Sequence, residues 1–433
     1  MAQEIELKFI VQSEAMPALR QWLDGLDGKH SAARQLLNIY FETPDLQLRR
    51  HDMGLRIRGD GPNYEMTMKT AGVTIGGLHQ RPEFNVSLTK PELDLAAFPE
   101  DMWPQGFDVE KLSTAVAPLF RTDFAREKWV VTHGSSSVEI ALDCGEIIAN
   151  ELSEPLCELE LELLDGNIED LLALARQLVG IPGLRAGLLS KAARGYHLAK
   201  GNPPRLIEPL AGLELPERAT VEQGLSAALN LALNHWAWHE ELWLRGNSHA
   251  LVEILDALAL VRHTLALFGG VVPRKASTRL RDLVTQTEVS LNGGESSETL
   301  AYGTLAATTR QALTEWLLLR GWRPFLDDAA VKKIEGSFKR FADINLSRQS
   351  SELRTAFDSQ LGERAEDQLP RLARVLDSVH ILAAVYPPAA SLEWLAAWRE
   401  LEDAVRGRQR AEIEQCRRIA LAQLPFWAHS GKR

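Results

Sequence analysis

The chain is 433 residues long with 45% hydrophobic and 25% charged residues, the balance of a soluble globular protein with room for two or more domains. Its formal net charge of −11 argues against a general nucleic-acid binder, although a local basic pocket stays open. Cys144, Cys157 and Cys416 are too few and too scattered for a zinc pattern, and they suggest a reducing compartment.

The opening "MAQEIELKF" has neither the basic nor the apolar segment of a secretory signal, so a cytoplasmic location is expected. Within it Ile5, Leu7 and Phe9 alternate with Glu4, Glu6 and Lys8, which is the period of a β-strand. A helix is predicted at "SEAMPALRQWLDGL". Period-two runs then return: "LRIR" with Arg56 and Arg58 together, "EMTMK" with Glu65, Thr67 and Lys69, and "RPEFNV" with Arg81, Glu83 and Asn85. "VEIALD" sets Glu139, Ala141 and Asp143 against Val138, Ile140 and Leu142, and "ELELEL" sets Glu158, Glu160 and Glu162 against three leucines. "GDGPN" and "TAGVTIGG" are turn signals between such runs. A second helix is predicted near "IEDLLALARQLVG". The pattern predicts an antiparallel sheet or barrel.

"KGNPPRLIEPLAGLELPE" reads as a linker. Beyond it the period becomes helical, as in "VEQGLSAALNLALNHWAWHEELWLRG" and "SSETLAYGTLAATTRQALTEWLLLRG". Both stretches end "LRG", a hint of a duplicated helical unit. The whole is therefore an α+β chain: residues 1–201 a β-rich domain, 202–218 a linker, 219–433 an all-α domain. "LVEILDALALVRHTLALFGG" is broken by Glu253, Asp256, Arg262 and His263 and reads as a core helix, so no membrane partner is expected.

A single charged strand face is usually solvated. Here several strands share the feature. Carboxylates at i and i+2 lie about 6–7 Å apart. They repel by roughly 0.6 kcal/mol in water but by about 2.5 kcal/mol at an effective dielectric near 20, so an enclosed face would need cations. The strand acids are Glu4, Glu6, Glu83, Asp143, Glu158, Glu160 and Glu162. The bases are Lys8, Arg56, Arg58, Lys69 and Arg81, with Arg121, Arg126 and Lys128 added around "RTDFAREKW". Hard divalent cations take carboxylate oxygens, and arginine and lysine bind phosphate, so acids on one wall and bases on another would suit a metal-bound polyphosphate. His235 and His239 sit one helical turn apart, but Trp236, Trp238 and Trp243 around them favour packing over metal binding. "KKIEGSFKR" reads as a solvated helix face. No phosphate-binding loop of the GxxxxGK[ST] kind is present.

In order, "EIELKF", "YFETPDLQL", "GLRIR", "MTMK", "RPEFNV", "ALDCG", "ELELEL" and "LLSKAARGY" resemble the CYTH, or triphosphate tunnel metalloenzyme, superfamily over about the first 200 residues. The resemblance implies a closed antiparallel barrel and the hydrolysis or cyclisation of a triphosphate with magnesium or manganese. The favoured reading is a metal-dependent inorganic triphosphatase with tripolyphosphate as substrate, water attacking to release diphosphate and phosphate. By position it implies Lys8, Arg56, Arg58, Lys69, Arg81, Arg126 and Lys191 as triphosphate ligands. It implies Glu4, Glu6, Asp143, Glu160 and Glu162 as metal ligands, with Glu158 and Glu139 as ligands or support. The helical half resembles a CHAD domain, with "VRHTLALF" the best local match. That likeness implies a possible polyphosphate partner, which the thinned arginines of this half do not favour. Adenylate cyclase of the class IV type, thiamine triphosphatase and a non-catalytic polyphosphate-binding module stay open as alternatives.

Overall fold

The computed structural model describes residues 2–358, 362–408 and 410–428. Its β-rich part contains β1 (Ala2–Val11), β2 (Gly28–Glu42), β3 (Gly54–Asp60), β4 (Asn63–Lys69), β5 (Val73–Ile75), β6 (Leu78–Leu88), β7 (Ala117–His133), β8 (Ser136–Ala149), β9 (Leu152–Asp165) and β10 (Leu184–Ala186). The sheet order runs β10-β1-β9-β8-β7-β2-β3-β4-β6-β5, and β1 also pairs with β6. That last pairing closes an antiparallel barrel of eight strands, with β5 and β10 as additions at its rim. Closure removes the free edges that an open sheet would expose. Two-residue connections set the register of the hairpins. Gly61, at φ 58°, and Pro62 link β3 to β4, with Asp60 opposite Asn63.

The alternation decides which side chains line the lumen. Leu7, Phe9, Val138, Ile140, Leu142, Leu159 and Leu161 turn outward. There they pack with Leu19 and Leu23 of the helix Met16–Asp24 and with Leu171, Leu172, Leu174 and Leu178 of the helix Ile168–Leu178. Burying each such side chain is worth roughly 1.5–3 kcal/mol, which holds the covering helices on the barrel. A second outer cluster packs Leu55, Ile57, Met66 and Met68 against Leu95, Phe98 and Leu112.

One end of the lumen is filled. The helix Lys191–Ala199 packs Tyr196 and Leu198 against Tyr40, Phe120, Phe124, Ile147, Ala149 and Leu156. The approach is close: a Cβ on Gly195 would sit 2.2 Å from the Phe120 ring, so only glycine fits there. Ser190 caps this helix by accepting from the Ala193 N–H.

By its contacts the chain forms two compact units. The first comprises Met1–Leu206, Leu244–Gly246 and Gly293–Leu319, so it differs from a single division at the linker. The helix Thr304–Leu318 thus belongs with the barrel. Gln311 donates to the Leu172 carbonyl at 3.2 Å, Thr314 donates to the Gly76 carbonyl at 2.5 Å, and Arg176 pairs with Glu315 at 2.9 Å.

The second unit comprises Ile207–Trp243, Asn247–Asn292 and Arg320–Arg433. It is helical, with Trp236, Trp322, Trp394, Trp398, Phe268, Phe338 and Phe357 among its fully buried side chains. Among the described residues no helix is long and apolar enough to cross a membrane.

Candidate active site

Cross-strand register sorts the inward charges into three groups. Deepest, beside the plug helix, lie Asp143, Glu158 and Glu160 with Lys8, Arg126 and Lys191. Lys191 Nζ is 2.7 Å from Asp143 and 2.8 Å from Glu160, and it also contacts Glu158. Lys8 reaches Glu158 at 3.1 Å and Glu160 at 3.3 Å. Arg126 forks onto Asp143 at 2.5 and 2.7 Å and meets Glu160 at 2.7 Å. Three acids thus face three bases. Burial is the largest influence on Glu160 and opposes its ionisation. Lys191, Lys8 and Arg126 together outweigh it and hold the carboxyl well below its ordinary range. Burial likewise disfavours the charge on Lys8, and Glu158 and Glu160 more than restore it.

The second group is not balanced. Glu6, Glu162 and Glu139 form one row across β1, β9 and β8, since Glu6 is opposite Glu162 and Glu162 is opposite Glu139. Neighbouring strands lie about 4.8 Å apart. Like charges at that spacing repel by roughly 3 kcal/mol at an effective dielectric of 20. Nearby Glu4 binds Lys69 at 2.6 Å, Glu83 lies 3.5 Å from Lys69, and Glu139 binds Lys128 at 2.7 Å. Lys69 and Lys128 do not offset five carboxylates. The excess registers on Glu162, whose pKa is pushed up to about 7 by burial and then by Glu4, Glu139, Glu83 and Glu6. Burial also raises Glu4, with Glu6 and Glu83 adding to it against the pull of Lys69.

The third group is a cationic wall on β3. Arg56 lies 3.9 Å from Glu83, and its buried Nε has no hydrogen-bond partner. Arg58 donates to the Asn38 side-chain oxygen at 3.0 Å. Its pKa falls to about 10, first through burial and then through repulsion by Arg56 and Arg126. An anion would relieve both effects. Arg81 sits farther out, one-third exposed and 3.4 Å from Asp52.

Most of the sequence-predicted site residues therefore meet in one lumen. Arg121 does not. It is exposed and lies on the other face of β7, because an odd separation from Arg126 reverses the direction of its side chain. His79 and Asn38 were missed. His79 shares the parity of Arg81 and Glu83 and faces Glu6 in register, so extending the "RPEFNV" alternation back two residues finds it. Burial lowers its pKa to about 4, and its Nδ1 lies 3.0 Å from the Thr74 hydroxyl.

In the helical unit, His235, His239 and Glu253 bring ligand-type atoms within 4.8 Å of one another. Their capacity is already used. His235 lies 2.9 Å from Glu253, His239 Nδ1 is 2.8 Å from the His235 carbonyl, and His239 Nε2 accepts from the Glu208 N–H at 3.3 Å. Arg262 pairs with Glu288, His263 with Asp377, and Arg371 and Arg374 with Glu352. Burial, with Glu253 and Asp377 adding to it, pushes Asp256 up to about 6.

Residues 2–196 match the CYTH domain family, and residues 227–418 match the CHAD domain family. The chain carries a CYTH domain followed by a CHAD domain. The CYTH assignment agrees with the closed barrel and its inward charges, and the CHAD match falls on the helical region. The chain is 37% identical over 199 residues to the inorganic triphosphatase of Haemophilus influenzae, a match covering 46% of this chain. The match spans 55% of that relative, about half of its length. Among solved structures, a Hippeastrum adenylyl cyclase candidate described as having a dominant triphosphatase activity is 18% identical, with a TM-score of 0.33, covering 45% of this chain and 95% of its own. The Mimivirus capping enzyme triphosphatase is 13% identical, with a TM-score of 0.27, covering 42% of this chain and 88% of its own.

Proposed function

We propose that the CYTH barrel is a metal-dependent inorganic triphosphatase that cleaves tripolyphosphate to diphosphate and phosphate. The observation that carries this reading is the unbalanced row Glu6–Glu162–Glu139 facing the same lumen as Arg56 and Arg58. The activity of the Haemophilus relative supports it.

The donor set fits a hard divalent cation, magnesium or manganese. Carboxylate oxygens are its preferred ligands, and the acid surplus that lifts Glu162 to about 7 is what such an ion would neutralise. Glu4, Glu6 and Glu162 would hold it, with Glu83 and Glu139 beside them. When bound, the cation supplies charge neutralisation at phosphate oxygens and a water of lowered pKa. Arg56, Arg58, Lys69 and Arg81 would bind and orient the phosphates. Lys8, Lys191 and Arg126 are committed to carboxylates and fix the deep wall of the lumen. Asp143, Glu158 and Glu160 also bring carboxylate oxygens within 4.8 Å of one another, but Lys8, Lys191 and Arg126 already offset them, so on this reading the outer acids take the metal role. Phosphoryl transfer needs little more from a protein than positioning and charge stabilisation. The helix Lys191–Ala199 packs across one end of the lumen, which favours a short triphosphate.

Product analysis tests the reading. The purified protein is expected to release phosphate and diphosphate from tripolyphosphate with magnesium or manganese, and to stop after exhaustive chelation. Preference for ATP with cyclic product, or for thiamine triphosphate, would replace it.

A pH dependence follows from Glu162. Its folded pKa of about 7 lies above the ordinary 4.5, so the folded metal-free protein holds an extra proton between those values. Stability contributed by this group is therefore full below pH 4.5 and lost as pH rises through about 7. A cation must displace the same proton. Metal affinity is expected to rise about tenfold from pH 6 to pH 8, and the rise should vanish in Glu162→Gln. Titration calorimetry at the two pH values checks this, and an equal rise in both proteins would assign the proton elsewhere.

A further inference from the structure

Asp143 and Glu158 point into the lumen, so the residues next to them point out. Those residues are Cys144 and Cys157. They stand opposite each other in the β8–β9 register, and their Sγ atoms are 3.2 Å apart. Both are free thiols of intermediate exposure, packed at the edge of the outer apolar cluster. Free cysteines often serve simply as small apolar side chains. Direct cross-strand register and contact between sulfurs is a more specific arrangement. A disulfide bond is about 2.05 Å long, so closing one here needs an approach of about 1 Å. Partial exposure leaves the pair open to a small oxidant.

We propose that Cys144 and Cys157 are a reversible oxidation site, in which a hydroperoxide converts the two thiols into a cross-strand disulfide. One sulfur, as thiolate, attacks the terminal peroxide oxygen. The O–O bond breaks, the alcohol or water leaves with a proton from solvent, and that sulfur becomes a sulfenic acid. The second sulfur then attacks the first. The S–O bond breaks, the oxygen departs as water with the second thiol's proton, and the S–S bond forms. Two thiols lose two electrons and the hydroperoxide gains them. A dithiol reductant reverses the change by exchange. The link staples β8 to β9 directly behind Asp143 and Glu158, which share Lys191 on the lumen side. The wall of the site thereby acquires two covalent states.

Cys416, on the helix Arg410–Ala422 of the second unit, serves as an internal reference. The experiment treats the full chain with a small excess of hydrogen peroxide. Free thiols are counted after denaturation, and unreduced peptides are mapped by mass. The expected result is a fall from three free thiols to one, with peptides carrying Cys144 and Cys157 joined. A mass loss of about 2 Da, restored by dithiothreitol, should accompany it. Cys416→Ser should leave the reaction intact, and Cys144→Ser or Cys157→Ser should each abolish the intramolecular link. The wild-type mapping stands even where a serine variant folds poorly. Retention of both thiols, separate sulfinic acids at Cys144 and Cys157, or prior loss of Cys416 would overturn the proposal.

Discussion

Replacing Lys191 with alanine is expected to cost the first unit about 3–5 kcal/mol of stability, the usual penalty for breaking a buried ion pair from one side. Lys191 is buried and within ion-pair distance of Asp143, Glu158 and Glu160, while Asp143 and Glu158 have no exposed surface. Removal leaves Lys8 and Arg126, with Arg194 3.9 Å from Glu158, to offset three carboxylates. Burial is the largest influence on Asp143 and favours its neutral form, so losing its strongest opponent should raise its pKa. Urea unfolding of the variant measures the cost. The double variant Lys191→Ala with Glu158→Gln should recover much of it, because it removes one of the stranded charges. A loss under 1 kcal/mol in the single variant would mean that water reaches this cluster freely.

Glu6→Gln and Glu162→Gln are each expected to lower turnover of tripolyphosphate at limiting metal by on the order of 10²-fold, the scale of losing one well-placed electrostatic group in an enclosed site. An amide is a weak ligand for a hard cation. Raising the metal concentration should restore part of the rate. Arg56→Ala should behave differently. It removes a charge-assisted hydrogen bond to phosphate worth about 1.5–3 kcal/mol, and the loss should appear mainly in KM and resist added metal. Steady-state kinetics over a grid of metal and substrate separates the two. Identical profiles for the glutamate and arginine variants would dissolve the division of the lumen into an acid side and a basic wall.

The parts of this site that follow a two-residue period were legible. "EIELKF", "LRIR" and "ELELEL" each place their charges on one face, and closure of the barrel turns those faces inward. Arg121 was legible too, and was misread: it sits five positions from Arg126, and an odd step cannot share a face. The balance among the acids was not legible. It depends on β1 lying beside β9 and β9 beside β8, pairings that bring Glu6 to Glu162 and Glu162 to Glu139 from distant parts of the chain. Linear spacing ranks Glu160 and Glu162 alike. Register separates them, since Glu160 has three basic partners and Glu162 has like charges for neighbours. The plug was hidden for a similar reason. "KAARGYHLA" is an ordinary amphipathic segment until its Gly195 is seen against Phe120.

The helix Thr304–Leu318, which packs on the barrel unit through Leu172, Gly76 and Arg176, has a consequence for how the protein is made. A ribosome that has released the last strand still has roughly a hundred residues to add before this helix exists. At about 5–20 residues per second, the nascent barrel waits several seconds or more with that flank uncovered. During the wait the apolar cluster that holds Leu7, Phe9 and Val179 lacks Ala307, the residue this helix adds to it. Ribosome-stalled chains of increasing length would show a step in protease resistance, and the step should fall where the helix clears the exit tunnel.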